Sequence, residues 1–174
     1  MMNEHHTVTR AYSVTQSEWT VEVPYAEFTT AFEALLGHMD AETFGDLPSL
    51  SPEAARAKLA SVVGPLDFVL FQRIDHGAIV TSLYRRDAHA MTYVFGNALI
   101  AVEMTKHDLR AGLHVPLRLI VEEVAPGRVR VTYDLPSSLI ARLQASAADT
   151  VARDLDSKVE RLLAATIRRA QAPA

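Results

Sequence analysis

The feature that most restricts this chain lies near its end. Val151, Leu155, Val159, Leu162, Leu163 and Ile167 recur at helical spacing, which predicts a long amphipathic helix over about 149–170. Arg168 and Arg169 fall where they complement the negative end of its dipole. A helix with one apolar stripe cannot bury that stripe alone, so a second layer has to cover it.

The rest of the sequence supplies that layer as strands. Thr7 to Val14 and Trp19 to Val23 alternate apolar and polar residues and read as the first strand region. Phe68 to Ile74 and Ala78 to Tyr84 are rich in β-formers around Asp75-His76-Gly77, which predicts a hairpin. After a turn at Arg85 to Ala88, a third strand follows in which Met91, Tyr93 and Phe95 share one face. Leu117 to Val124 and Arg128 to Asp134 flank Ala125-Pro126-Gly127 and predict a second hairpin. Between the strands, Pro24 opens a helix to about residue 36, Ser51-Pro52 opens one ending near Gly64, and Asn97 caps one running to His107. His38 to Leu50 reads as a loop.

Hairpins imply antiparallel pairing. The expected fold is therefore α+β: a two-layer, mostly antiparallel sheet of five or six strands, with helices on one face and a long C-terminal helix. No Pro/Gly/Ser-rich linker or internal repeat divides the 174 residues, so a single domain over 1–174 is expected.

Composition removes several classes of function. With no cysteine, thiol chemistry and thiolate-held metals are excluded, and a reducing, cytoplasmic setting is expected. The net charge of -4 gives no overall attraction to phosphate backbones, so nucleic acid is not an expected partner. Met1 to Arg10 carries a His5-His6 pair but not the basic start and apolar run of a secretory signal. No run of about 20 apolar residues predicts a membrane span, so no membrane association is expected.

Nucleotide-binding glycine loops, a GxSxG elbow and an SxxK pair are all missing. His76 and His89 fall at adjacent strand ends, but two histidines without an HxH or HxxxH pair do not predict a metal site, and no cofactor is expected. Lys106-His107-Asp108-Leu109-Arg110 reads as a solvated helix end, with His107 and Asp108 as an alternative acid–base pair. Ser137 reads as a helix cap. Arg118, alternating with Leu117 and Leu119, is the preferred anchor for a bound anion.

His76-Gly77, Gly96-Asn97-Ala98-Leu99-Ile100-Ala101, Met104, His107-Asp108, Arg110-Ala111, Pro116-Leu117-Arg118 and Tyr133 to Ser138 together resemble the domain of unknown function family numbered 302. The resemblance spans roughly residues 20–140, with the final helix included. It implies a TATA-binding-protein-like α+β fold and no settled activity. Many relatives carry a Cys directly after the proline matched by Pro116; this chain has Leu117, so a thiol-dependent role would not transfer.

The polar residues of that pattern, with Tyr93, form the candidate ligand-binding set: His76, Tyr93, Asn97, His107, Asp108, Arg118, Tyr133 and Asp134. No catalytic residue and no metal ligand is assigned. The leading expectation is a small-ligand-binding or sensing domain for an anionic small molecule, with the set gathered in one hollow. The alternatives are an enzyme using a His/Asp pair on a carbonyl or carboxylate substrate, and a homodimeric interaction module.

Overall fold

The computed structural model describes residues 6–39 and 41–172; His5 of the terminal His pair lies outside them. Six strands, β1 (Gln16–Val21), β2 (Gly37–His38), β3 (Val69–Asp75), β4 (Ala90–Gly96), β5 (Leu117–Ala125) and β6 (Arg128–Asp134), form one sheet in the order β1-β6-β5-β4-β3-β2. Every pairing is antiparallel except the short β2–β3 contact. The helices are α1 (Tyr25–Glu33), α2 (Ala41–Asp46), α3 (Pro52–Ser61), α4 (His76–Tyr84), α5 (Ala98–Thr105), α6 (Pro136–Ile140) and α7 (Ser146–Ala170).

Strand alternation decides where the core sits. Tyr93 and Phe95 of β4, Leu119 and Val121 of β5, and Val129 and Val131 of β6 are buried with Phe28 and Phe32 of α1 and Leu155, Val159, Leu162 and Leu163 of α7. Burying each such side chain contributes roughly 1.5–3 kcal/mol, so the α7 stripe is a principal source of stability. α7 also touches α1, α5 and α6, which ties the helical layer together. The residues in between, including Thr92, Arg118, Ile120, Arg130 and Thr132, point to the other face of the sheet.

Local chemistry accounts for the element ends. Pro126-Gly127 turns β5 into β6, with Gly127 at φ 75°, a left-handed conformation that glycine adopts without strain. Ser51 caps α3 by accepting the Ala54 amide at 3.2 Å. A register shift between Leu70 and Gln72 inserts Phe71 as an extra residue in β3 and breaks the alternation there.

Three expectations are corrected. Ala78 to Tyr84 is helix, not strand: Asp75 accepts the Ala78 amide at 2.8 Å as a cap, and Gly77 lies so close to the Ala88 backbone that a Cβ would sit 2.4 Å from the Ala88 carbonyl oxygen. A short apolar run does not distinguish helix from strand by itself, and here the cap decides. β3 and β4 therefore pair across α4 instead of through a tight hairpin. Thr7 to Val14 joins no strand. β6 is already paired along its length from Gln16 to Val21, and the Leu135 amide bonds Thr15 as the last contact, so the preceding residues run past the end of the sheet. His38 to Leu50, read as a loop, contains the end of β2, the one-turn helix α2 and a 3-10 turn at Leu47–Ser49.

Candidate functional site

β4 ends, β5 begins, β6 ends and β1 begins on one side of the sheet, because antiparallel neighbours alternate direction. Asn97 takes the chain from β4 into α5, its Oδ1 accepting the Leu99 amide at 2.8 Å and the Ile100 amide at 3.3 Å. Its Nδ2 donates to the Asp67 carbonyl at 2.8 Å, so the side chain is fixed at both ends. Asp108 caps the 3-10 turn Leu109–Leu113 through the Arg110 amide at 2.9 Å. The chain then enters β5 through a cis Val115–Pro116 bond.

These connections line a half-open apolar cavity of about 160 Å³ between the end of β4, α2, α5, α7 and the loop into β5. Phe44, Phe71, Ile100, Met104, Pro116 and Leu155 are among its walls, with Asn97 the polar one. The Phe44 and Phe71 rings lie 6.0 Å apart, and Phe44 is itself 47% exposed. A dry cavity of about this size holds a benzene-sized group.

The loop that gives the cavity Val115, Pro116 and Leu117 carries His114 before them and Arg118 after them. Burial lowers the His114 imidazole below its ordinary value, and the Arg142 and Arg118 guanidinium groups add to that effect. His114 Nε2 and Arg142 Nε are both buried without a hydrogen-bond partner. The Arg142 guanidinium also lies over the Tyr12 ring, 4.9 Å from its centroid. Two arginines, Arg118 from the same stretch as His114 and Arg142 from the turn after α6, thus act on His114, and no carboxylate is among the groups doing so.

The expected ligand set does not gather in one hollow. Asn97, Asp108, Arg118 and Asp134 lie at this end of the sheet, but only Asn97 lines the cavity. Arg118 and Asp134 belong to the outer sheet face, where Asp134 accepts Gln16 Nε2 at 3.1 Å. Tyr133 points into the helical layer beside Ser17 and Trp19. His107 is exposed beyond α5, and Asp108 is engaged by Arg110 Nη2 at 2.6 Å, which draws its carboxyl below the usual range. No hydrogen bond joins His107 to Asp108. His76 begins α4 at the opposite end, and Tyr93 is buried mid-sheet.

The opposite end holds a cluster with no local signature. Tyr93 donates to Glu33 Oε1 at 2.8 Å, and Arg73 Nη1 donates to Glu33 Oε2 at 2.8 Å. His89 Nδ1 lies 2.6 Å from Glu123 Oε2, and its ring stacks on Tyr25 at 5.3 Å. The hydrogen bond to Glu123 raises the His89 value, with Glu123, Asp87 and Asp75 adding to it electrostatically. Burial, then Asp75, Glu33 and Glu123, pushes the Tyr25 phenol up to about 12. Burial and the Glu33 bond raise Tyr93 as well. Glu123 stands 34 residues from His89 in sequence, so only the β4–β5 register, in which the Glu123 amide bonds the His89 carbonyl, brings the two together.

No helix among the described residues is long and apolar enough to cross a membrane. No curated protein matches the chain. The crystal structure of an uncharacterized conserved DUF302 protein from Bacillus stearothermophilus shares the fold, at a TM-score of 0.59 and 14% identity, over 90% of this chain and 98% of that one. The profile of the family described as Domain of unknown function DUF302 matches residues 43–166, starting later than the sequence resemblance and extending through most of α7. By that match, over most of its length, the chain belongs to the DUF302 family.

Proposed function

We propose that this domain binds a small anionic molecule: a short apolar body in the cavity between α5 and β4, and an acidic head at His114 and Arg142. The observation that carries this reading is the pair of buried, unpartnered nitrogens, His114 Nε2 and Arg142 Nε, beside the loop that lines the cavity. A buried polar group without a partner costs about 1–3 kcal/mol, a cost that an acceptor on a ligand would remove. The local charge selects an anion, since Arg142 and Arg118 both act on His114 and no carboxylate does. The cavity volume of about 160 Å³ limits the apolar part to a short branched chain or a single ring.

Isothermal titration calorimetry with short branched and aromatic carboxylates, each against its isosteric primary amide, tests this. The acids bind, and the amides bind at least about tenfold more weakly, one charge-assisted contact being worth a factor of this order. Ala101→Phe, which fills the cavity from α5, and Arg142→Met each remove the acid signal. Equal affinity for acids and amides, or no binding by any of them, counts against the reading.

A further inference from the structure

The outer face of the sheet carries an ordered pattern of charges. Reading across the strands by register, one row runs Glu18, Thr132, Ile120, Thr92, Ile74. On one side of it β5 and β6 place Arg118 beside Asp134, one step beyond the Leu119–Tyr133 pair, and on the other side they place Glu122 opposite Arg130. The four charges alternate in sign around a central Ile120–Thr132 pair. Arg130 bonds Glu122 at 2.6 Å within the chain. Arg118 makes no ion pair or hydrogen bond to any described residue.

We infer that this face is the contact of an isologous homodimer, with a second copy of the chain as its occupant. A checkerboard of two positive and two negative charges is self-complementary under a two-fold axis lying in the face. With the axis along the strands, Arg118 meets the second copy's Asp134 and Glu122 meets its Arg130. With the axis across them, Arg118 meets Glu122, Asp134 meets Arg130, and Ile120 and Ile74 pack on their own counterparts. Each of these four charges finds its opposite in both arrangements, while Glu18, already 3.8 Å from Arg130 within its own chain, meets its own counterpart when the axis runs across the strands and Thr92 when it runs along them. A self-complementary patch is what an isologous contact requires. Ile74, Val94 and Ile120 supply the apolar centre that a wholly solvated face does not need.

Size sets the strength of the dimer. With the axis across the strands, five strands at a spacing of about 4.8 Å and a usable length of about 20 Å give roughly 500 Å² per copy, or about 1,000 Å² in all, the lower limit for a specific interface. With the axis along them only four strands overlap and the area is about a fifth smaller. The dimer is therefore weak and concentration-dependent. This inference does not use the cavity, and the one residue it shares with the ligand proposal is Arg118, which acts on His114. The dimer is read by sedimentation without ligand, so the two fail separately.

Sedimentation equilibrium of the full chain, from micromolar to millimolar concentration, tests it, with circular dichroism to confirm folding. The wild type shows a monomer–dimer equilibrium, and Arg118→Asp weakens it at least about tenfold by setting like charges against each other. Rescue by the double change Arg118→Asp with Asp134→Arg fixes the axis along the strands; rescue by Arg118→Glu with Glu122→Arg fixes it across them. A wild type that stays monomeric at millimolar concentration overturns the inference, as does a dimer indifferent to Arg118→Asp or one that neither double change restores.

Discussion

The two ends of the sheet treat their polar groups in opposite ways. At the end near α1 and α4 they are spent on one another: Glu33 holds both Tyr93 and Arg73, and Glu123 holds His89. At the end near α5, His114 Nε2 and Arg142 Nε have no partner, and the apolar cavity takes its lining from Val115 to Leu117, the residues that follow His114. Tyr133 Oη and Asp149 Oδ1 are likewise buried without a partner. The first end is acidic and internally satisfied, so a ligand would have to displace existing hydrogen bonds. At the second, the two nitrogens of His114 and Arg142 are unsatisfied, so an acceptor placed there would add bonds without breaking any. Density of titratable groups is thus a poorer guide to a site than the presence of groups left without partners.

Breaking the satisfied end has the largest expected effect. Glu33→Ala leaves the buried Tyr93 hydroxyl without its acceptor and costs about 1–3 kcal/mol, read as a lower urea midpoint with an unchanged slope. Asn97→Ala removes the α5 cap and the tie to Asp67, a loss of about 1 kcal/mol in the same experiment. Arg142→Met is the opposing case. It deletes an unpaired donor while keeping an apolar stem, so stability changes by less than about 1 kcal/mol although ligand binding is lost. A large destabilisation by Arg142→Met would show that this corner too is structural.

The histidines sharpen the comparison with the smallest effects. NMR titration should place His89 above the ordinary value of 6.5 and His114 below it, and Glu123→Gln should bring His89 down. The two residues act on stability with opposite signs. His89, raised on folding, contributes below about pH 6.5, and that contribution is lost as the pH rises through its folded value. His114, lowered on folding, makes the unfolded chain bind more protons between its folded value and about pH 6.5, so stability falls as the pH falls through that window. If the two titrate together, the electrostatic distinction between the ends is lost.

The fold was legible where sequence signals are periodic or local. The α7 stripe, the Pro126-Gly127 turn and the Asn97 and Ser51 caps each declare themselves within a few residues. α4 was not, because Ile79, Val80, Leu83 and Tyr84 suit a strand as well as a helix, and what settles the matter is a carboxylate cap and the pressure of the Ala88 backbone on Gly77. Of the candidate site, Asn97 and the basic character of Arg118 were legible. His114 and Arg142 were not: each is an ordinary residue in its own segment, and they meet only because the loop into β5 and the turn after α6 lie at one end of the sheet. The same holds for Tyr25, His89 and Glu123, joined by register and not by motif.

The most direct measurement is the His114 titration followed by NMR with and without isobutyrate, beside an isobutyramide control. A carboxylate seated against His114 and Arg142 stabilises the imidazolium, so the His114 value should rise with the acid and stay put with the amide, while His89 is unmoved by either. A His114 value that ignores saturating acid, in a protein that remains folded, would leave the basic corner without the role assigned to it.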